Sequence, residues 1–130
     1  MDNKFVAYRG EKYTVEWFFD LRSKSQALEY FNTLSKKERT LVLRLFKRIG
    51  DLGELRDSTK FNYEGDQIYA FKPKPDRFLC FFFEDKKIIV TNAFRKKKDK
   101  LPPEEKERAL RNRNGYQTRL ATGEYYEEFN

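Results

Sequence analysis

The chain has no histidine and a single cysteine among its 130 residues. These absences remove the zinc ligand sets and the Cys/His and Ser/His nucleophile–base pairs. One thiol also excludes an internal disulfide framework and suits a reducing compartment. Glycine is sparse as well: six scattered residues form neither GxGxxG nor GxxxxGK, so there is no phosphate-cradling fingerprint. No stretch approaches the roughly 20 apolar residues of a membrane span. The start, MDNKFVAYRGEKY, lacks the apolar core of a secretory signal. The expectation is a cytoplasmic protein that uses no membrane, metal or small-molecule cofactor.

What the chain does contain is aromatic and charged. Apolar and charged residues each make up 38%, and thirteen Phe and eight Tyr raise the aromatic share to 17%. Large rings bury much area per residue, so one core of ordinary domain size is within reach. The net charge of +7 favours a polyanionic partner.

Periodicity divides the chain into elements. KYTVEWFF, residues 12–19, is strand-favouring and ends at Asp20. Ser23 with Gln26 has capping-box spacing ahead of Ala27, Leu28, Phe31 and Leu34, which recur at helical intervals. Ser35 with Glu38 repeats that signature before an apolar face of Val42, Leu45, Phe46, Ile49 and Leu52, with Gly53 as the stop. The polar stretch from Glu54 to Asp66 reads as irregular. QIYAFKPK, RFLCFFFE and KKIIVTNAF then read as three antiparallel strands joined by short turns, the middle one apolar at both parities and covered on both faces. Cys80, inside that middle run, reads as a small core residue. Pro102 and Pro103 open a last helix that carries Glu early and Arg late, with Gly115 as its stop. The expected architecture is α+β: a small antiparallel sheet, made of a three-stranded meander plus an N-terminal strand, packed against a helical hairpin and followed by a C-terminal helix. Residues 1–115 read as the domain and 116–130 as a tail.

Charge is densest just past the last strand, where five of the six residues 95–100 are basic. Lysines at a strand end are ordinarily a solvated cap. A second group changes the reading: Lys72, Lys74 and Arg77 flank the turn between the two preceding strands. In an antiparallel meander the start of the strand at Arg77 lies beside the end of the strand at Phe94. Lys72, Lys74, Arg77, Arg95, Lys96, Lys97 and Lys98 thus gather at one sheet edge, a field suited to phosphates, with guanidinium groups able to stack on bases. Tyr69 offers a ring for a base, whereas Phe71 reads as core.

The stretch IYAFKPKPDRFLCFFFEDKKIIVTNAFRKKKDKLPPEEKERA resembles toxins of the RelE/ParE superfamily, especially the HigB-like and phage-derived branch. The likeness lies in an aromatic-rich strand, an Arg opening the next strand, and a late strand ending in Phe before paired lysines. A Pro-initiated helix rich in Glu, Arg and Ala completes it. The resemblance implies the toxin of a type II toxin–antitoxin system: a ribosome-dependent endoribonuclease in which the RNA 2′-hydroxyl attacks the neighbouring phosphate of messenger RNA without a metal. By position, Arg77 would hold the scissile phosphate, and Lys96 or Lys97 would steady the transition state. Lys72, Lys74, Arg95, Lys98 and Tyr69 would bind RNA. A lysine among Lys96–Lys98, its pKa lowered by crowding, would move protons. The implied partner is a cognate antitoxin, a helix-turn-helix protein that silences the basic edge with an acidic segment or a covering helix. Three features depart from the pattern: Ile68 and Ala70 stand where several ribosome-dependent members have lysines, histidines are missing, and Leu101 or Pro102 replaces a late tyrosine. A ParE-like gyrase inhibitor, or a degenerate toxin that only pairs with antitoxin and DNA, is the alternative the same residues leave open.

Overall fold

Six strands and three helices follow one another along the chain in a computed structural model that describes residues 3–84 and 86–126. In chain order they are β1 (Val6–Arg9), β2 (Thr14–Trp17), α1 (Gln26–Thr33), α2 (Lys36–Leu52) and β3 (Phe61–Tyr63). Then follow β4 (Tyr69–Phe71), β5 (Asp76–Phe83), β6 (Lys87–Arg95) and α3 (Pro103–Ala121). The sheet order is β1-β2-β6-β5-β4-β3. All neighbours are antiparallel except β2 and β6, which run parallel. The class is therefore α+β as expected, but the sheet is mixed and six-stranded rather than a meander with one added strand. β1 and β3, at the two edges, are the additions; β3 lies inside the stretch read as irregular. Such short strands carry little propensity of their own and exist because a neighbour supplies the ladder.

The first turns of α1 and α2 are held by side-chain caps. Ser35 and Glu38 form the reciprocal capping box at the start of α2, and Gly53 closes it with φ of 82°, a left-handed conformation cheap only for glycine. Val42, Leu45, Phe46 and Ile49 are buried on the expected face, whereas Leu52, the last residue of the helix, is exposed. At α1 the cap is Ser25, not Ser23: its Oγ accepts the Leu28 N–H at 3.2 Å. Gln26 instead turns to the sheet. Its amide donates to the Ala93 carbonyl at 2.8 Å and accepts the Ala93 N–H at 2.7 Å, continuing the ladder where β2 leaves β6.

Helix α3 passes through Gly115 and ends at Thr122, with Gly123 in the left-handed region. Gly115 is tolerated because the next residue, Tyr116, is fully buried against Phe81 and Phe83. That burial outweighs the roughly 1 kcal/mol that a mid-helix glycine costs. Beyond the helix, Tyr125 is buried and accepts the Phe19 N–H through its hydroxyl at 2.9 Å. The last four residues of the expected tail lie outside the described residues.

The helices cover both faces of the sheet. Phe78 of β5 meets Trp17, Tyr30 and Phe46 on the side of α1 and α2, while Phe81 meets Tyr116 on the side of α3. The middle strand is thus buried on both faces, as its run of apolar residues requires. Cys80 is free and fully buried, and burial pushes its thiol well above the ordinary range. A bulge between Leu79 and Cys80 leaves Thr91 of β6 unpaired in the register. The Thr91 carbonyl accepts from the Asn112 side chain at 3.0 Å, and Asn92 donates to the Glu105 carbonyl at 3.1 Å. The bulge thereby becomes the seat of α3. Among the described residues no helix is long and apolar enough to cross a membrane.

Candidate phosphate-binding hollow

Register places the cations. Arg77 pairs with Phe94 and Ala70 with Leu79, so the two-residue period puts Ala70, Lys72, Arg77, Leu79, Phe94 and Lys96 on one face of the sheet. These residues line a small hollow of about 50 Å³ together with Glu64, Lys98, Asp99, Lys100 and Leu101. Its floor is apolar, from Ala70, Leu79 and Phe94, and its rim is cationic. At ~30 Å³ per water molecule, the space suits one compact anionic group rather than a base.

Arg77 is only 8% exposed. Its one hydrogen bond runs to the Asp76 carbonyl at 2.9 Å, and it forms no ion pair with the other described residues. Burial lowers its pKa, with Glu64 and Asp76 opposing, yet a guanidinium keeps its charge in proteins. Charges out of water are normally paired; this one faces an open hollow. The backbone that aims it is fixed from behind. Asp76 is 1% exposed and accepts the Tyr30 hydroxyl at 2.5 Å. Burial and that bond hold the phenol well above its usual pKa. Helix α1 therefore clamps the first residue of β5, and Arg77, next in line, projects to the opposite face.

Lys72 and Lys96 complete the rim. Lys72 donates to the Ser58 carbonyl at 3.2 Å. Burial lowers its pKa, Glu64 opposes the shift, and Arg77, Lys96 and Lys74 add to it. Lys72, a position the sequence reading assigned to RNA binding, thus holds its proton less tightly than an ordinary lysine. Lys96 is two-thirds buried along its side chain, and its one acidic contact is Asp99 at 3.9 Å, itself fully exposed. Its N–H donates to the Pro75 carbonyl at 2.9 Å, extending the β5–β6 ladder past Arg95.

The remaining candidates lie elsewhere. Arg95 pairs with Asp76 and shares its side of the sheet. With Lys97 it lines a wider groove of about 730 Å³ between α1 and the start of α3, floored by Ala93, Phe94 and Leu101. Lys98 and Lys100 border both spaces. Lys74 lies in a third cleft, with Arg44, Lys60 and Lys72. Tyr69 is on the face opposite Arg77, paired with Cys80 and stacked on Phe61 with centroids 5.5 Å apart. It shares the parity of buried Phe71, a signal that a two-residue count would have supplied.

Sequence reasoning did not single out Glu64. It lines the hollow, yet it makes no side-chain hydrogen bond or ion pair with the described residues. Its place depends on the β3–β4 hairpin, which no local pattern announces.

A family model described as phage-derived protein Gp49-like (DUF891) matches residues 29–114, a span containing the hollow and the strands that build it. No curated protein matches the chain.

Proposed function

Because the chain belongs to the phage-derived Gp49-like family, within the RelE/ParE-like toxins of toxin–antitoxin systems, we propose that it is a HigB-like toxin that cuts messenger RNA on the ribosome. The observation that carries this reading is Arg77: a buried guanidinium without an ion-pair partner, facing a hollow of phosphate size between Lys72 and Lys96. In this role the guanidinium holds the scissile phosphate through paired N–H donors. Lys96, across the β5–β6 ladder, meets the charge that grows on the phosphate oxygens as the 2′-oxygen attacks. Donors held in place before the reaction stabilise such charge without reorganisation, often the largest catalytic contribution. Arg95, Lys97 and Lys98 bind the flanking strand along the wider groove. A cognate antitoxin silences the protein by laying acidic residues over the same edge.

The test is induced expression followed by mapping of messenger RNA 5′ ends. Wild type should arrest growth and create new 5′ ends inside translated messages, and Arg77→Ala should do neither. Growth arrest with intact messages and poisoned DNA gyrase would overturn the reading in favour of a ParE-like inhibitor.

A further inference from the structure

An RNA-cutting site of this kind needs a group to take the proton of the attacking hydroxyl, and the hollow contains one carboxylate without a partner. Glu64 follows β3, and its N–H donates to the Ile68 carbonyl at 2.7 Å. It therefore keeps the parity of Asn62, which pairs with Ala70, and projects from the same face as Arg77. The turn behind it has three consecutive residues at positive φ, Gly65, Asp66 and Gln67, a backbone that non-glycine residues adopt only when held. Helix α3 holds it: Lys106 pairs with the Asp66 carboxylate at 2.8 Å, and Arg113 donates to the Asp66 carbonyl at 2.5 Å.

Glu64 and Ala70 line the same hollow. Lys72 and Arg77 both feel its negative charge, which raises each of them. A carboxylate whose purpose was neutralisation would close onto one of these cations, and Glu64 closes onto neither. Along the strands Glu64 stands level with Phe81, four residues to one side of Arg77, while Lys96 lies past Phe94 on the other side. Base and acid in an in-line displacement flank the phosphorus in this way.

We infer that Glu64 is the general base of this site. The step rests on the ribonuclease reading above. The 2′-hydroxyl proton passes to the Glu64 carboxylate while the 2′-oxygen forms its bond to phosphorus at Arg77. The P–O5′ bond breaks, leaving a 2′,3′-cyclic phosphate on one fragment. The departing 5′-oxygen takes a proton from the Lys96 ammonium, and exchange with water restores both groups.

The test is single-turnover cleavage of a ribosome-bound message by purified protein between pH 5 and 9, with Glu64→Gln and Glu64→Ala. Glu64→Gln should slow cleavage by about 10²–10⁴-fold and keep ribosome affinity and melting temperature close to wild type. Added formate should restore part of the Glu64→Ala rate. Cleavage by Glu64→Gln within threefold of wild type would overturn the assignment. So would a rate loss matched by an equal loss of ribosome binding, without rescue by formate. A wild-type protein that cuts no message would overturn the nuclease reading and this one with it, which separates the two failures.

Discussion

Lysine marks both ends of β6, and the two ends are built differently. At the start, Lys87 lies 3.6 Å from the buried Glu16 carboxylate and donates to the Tyr126 hydroxyl at 3.1 Å. Tyr126 in turn donates to Glu16 at 2.7 Å and shares a bond with Tyr116 at 2.8 Å. Every polar group there has a protein partner. Past the other end, Lys96 has one exposed aspartate at 3.9 Å, and Arg77 has a backbone carbonyl. The same residue types are thus paired at one end and left largely unneutralised at the other. Unneutralised cations repel one another and lower stability, so keeping them together is the pattern expected of a ligand site.

The sharpest way to break the comparison is to exchange the outcomes. Arg77→Ala should reduce cleavage about 10³-fold, equivalent to ~4 kcal/mol in the barrier. Its denaturant midpoint should stay near wild type, because no ion pair is lost. A large loss of stability would show that the guanidinium belongs to the framework after all. Tyr125→Ala should do the reverse, costing about 3 kcal/mol in urea unfolding as a buried ring is removed, while cleavage per folded molecule stays constant. A specific loss of activity would join the two ends functionally.

Smaller effects sharpen the contrast within the hollow. Lys72 holds its proton less tightly in the folded chain, chiefly through burial. The unfolded state therefore binds more protons between that lowered value and the ordinary 10.5, and stability rises with pH across this window. Lys72→Met should be slightly more stable than wild type at pH 7 and lose the alkaline rise, as followed by thermal melts from pH 7 to 10.5. Smallest is Lys98→Ala. It should make the salt dependence of ribosome binding shallower by about 0.7 in log–log slope, one phosphate contact, measured between 50 and 200 mM salt. An unchanged slope would place Lys98 outside the RNA path.

Much of this is legible in the sequence. The capping box of α2 and its apolar stripe are local signals, and both stand as read except at Leu52, which is exposed. The meeting of Arg77 with Phe94 follows from a short turn between adjacent strands, because a tight hairpin leaves the register little freedom. Parity then separates Lys96 from Arg95 and Lys97, and it also turns Tyr69 away with Phe71. Other features gave no such signal. Gly115 looks like a helix stop until the burial of Tyr116 is known, and Ser23 looks like a cap until Gln26 is seen bonded to Ala93. The edge strands β1 and β3 are too short to show a period, so the turn that carries Glu64 could not be placed.

By itself, then, the sequence determined the element types along most of the chain, the adjacency of β5 and β6, and the excess of positive charge at their shared end. These depend on periodicity and short connections, which act over a few residues. Only the tertiary structure decided that β2 runs parallel beside β6, that α3 docks on the bulge at Thr91, and that Glu64 reaches the cations around Arg77. Those outcomes join residues far apart in the chain, and they are set by which faces bury the most apolar surface together, a quantity no local pattern contains.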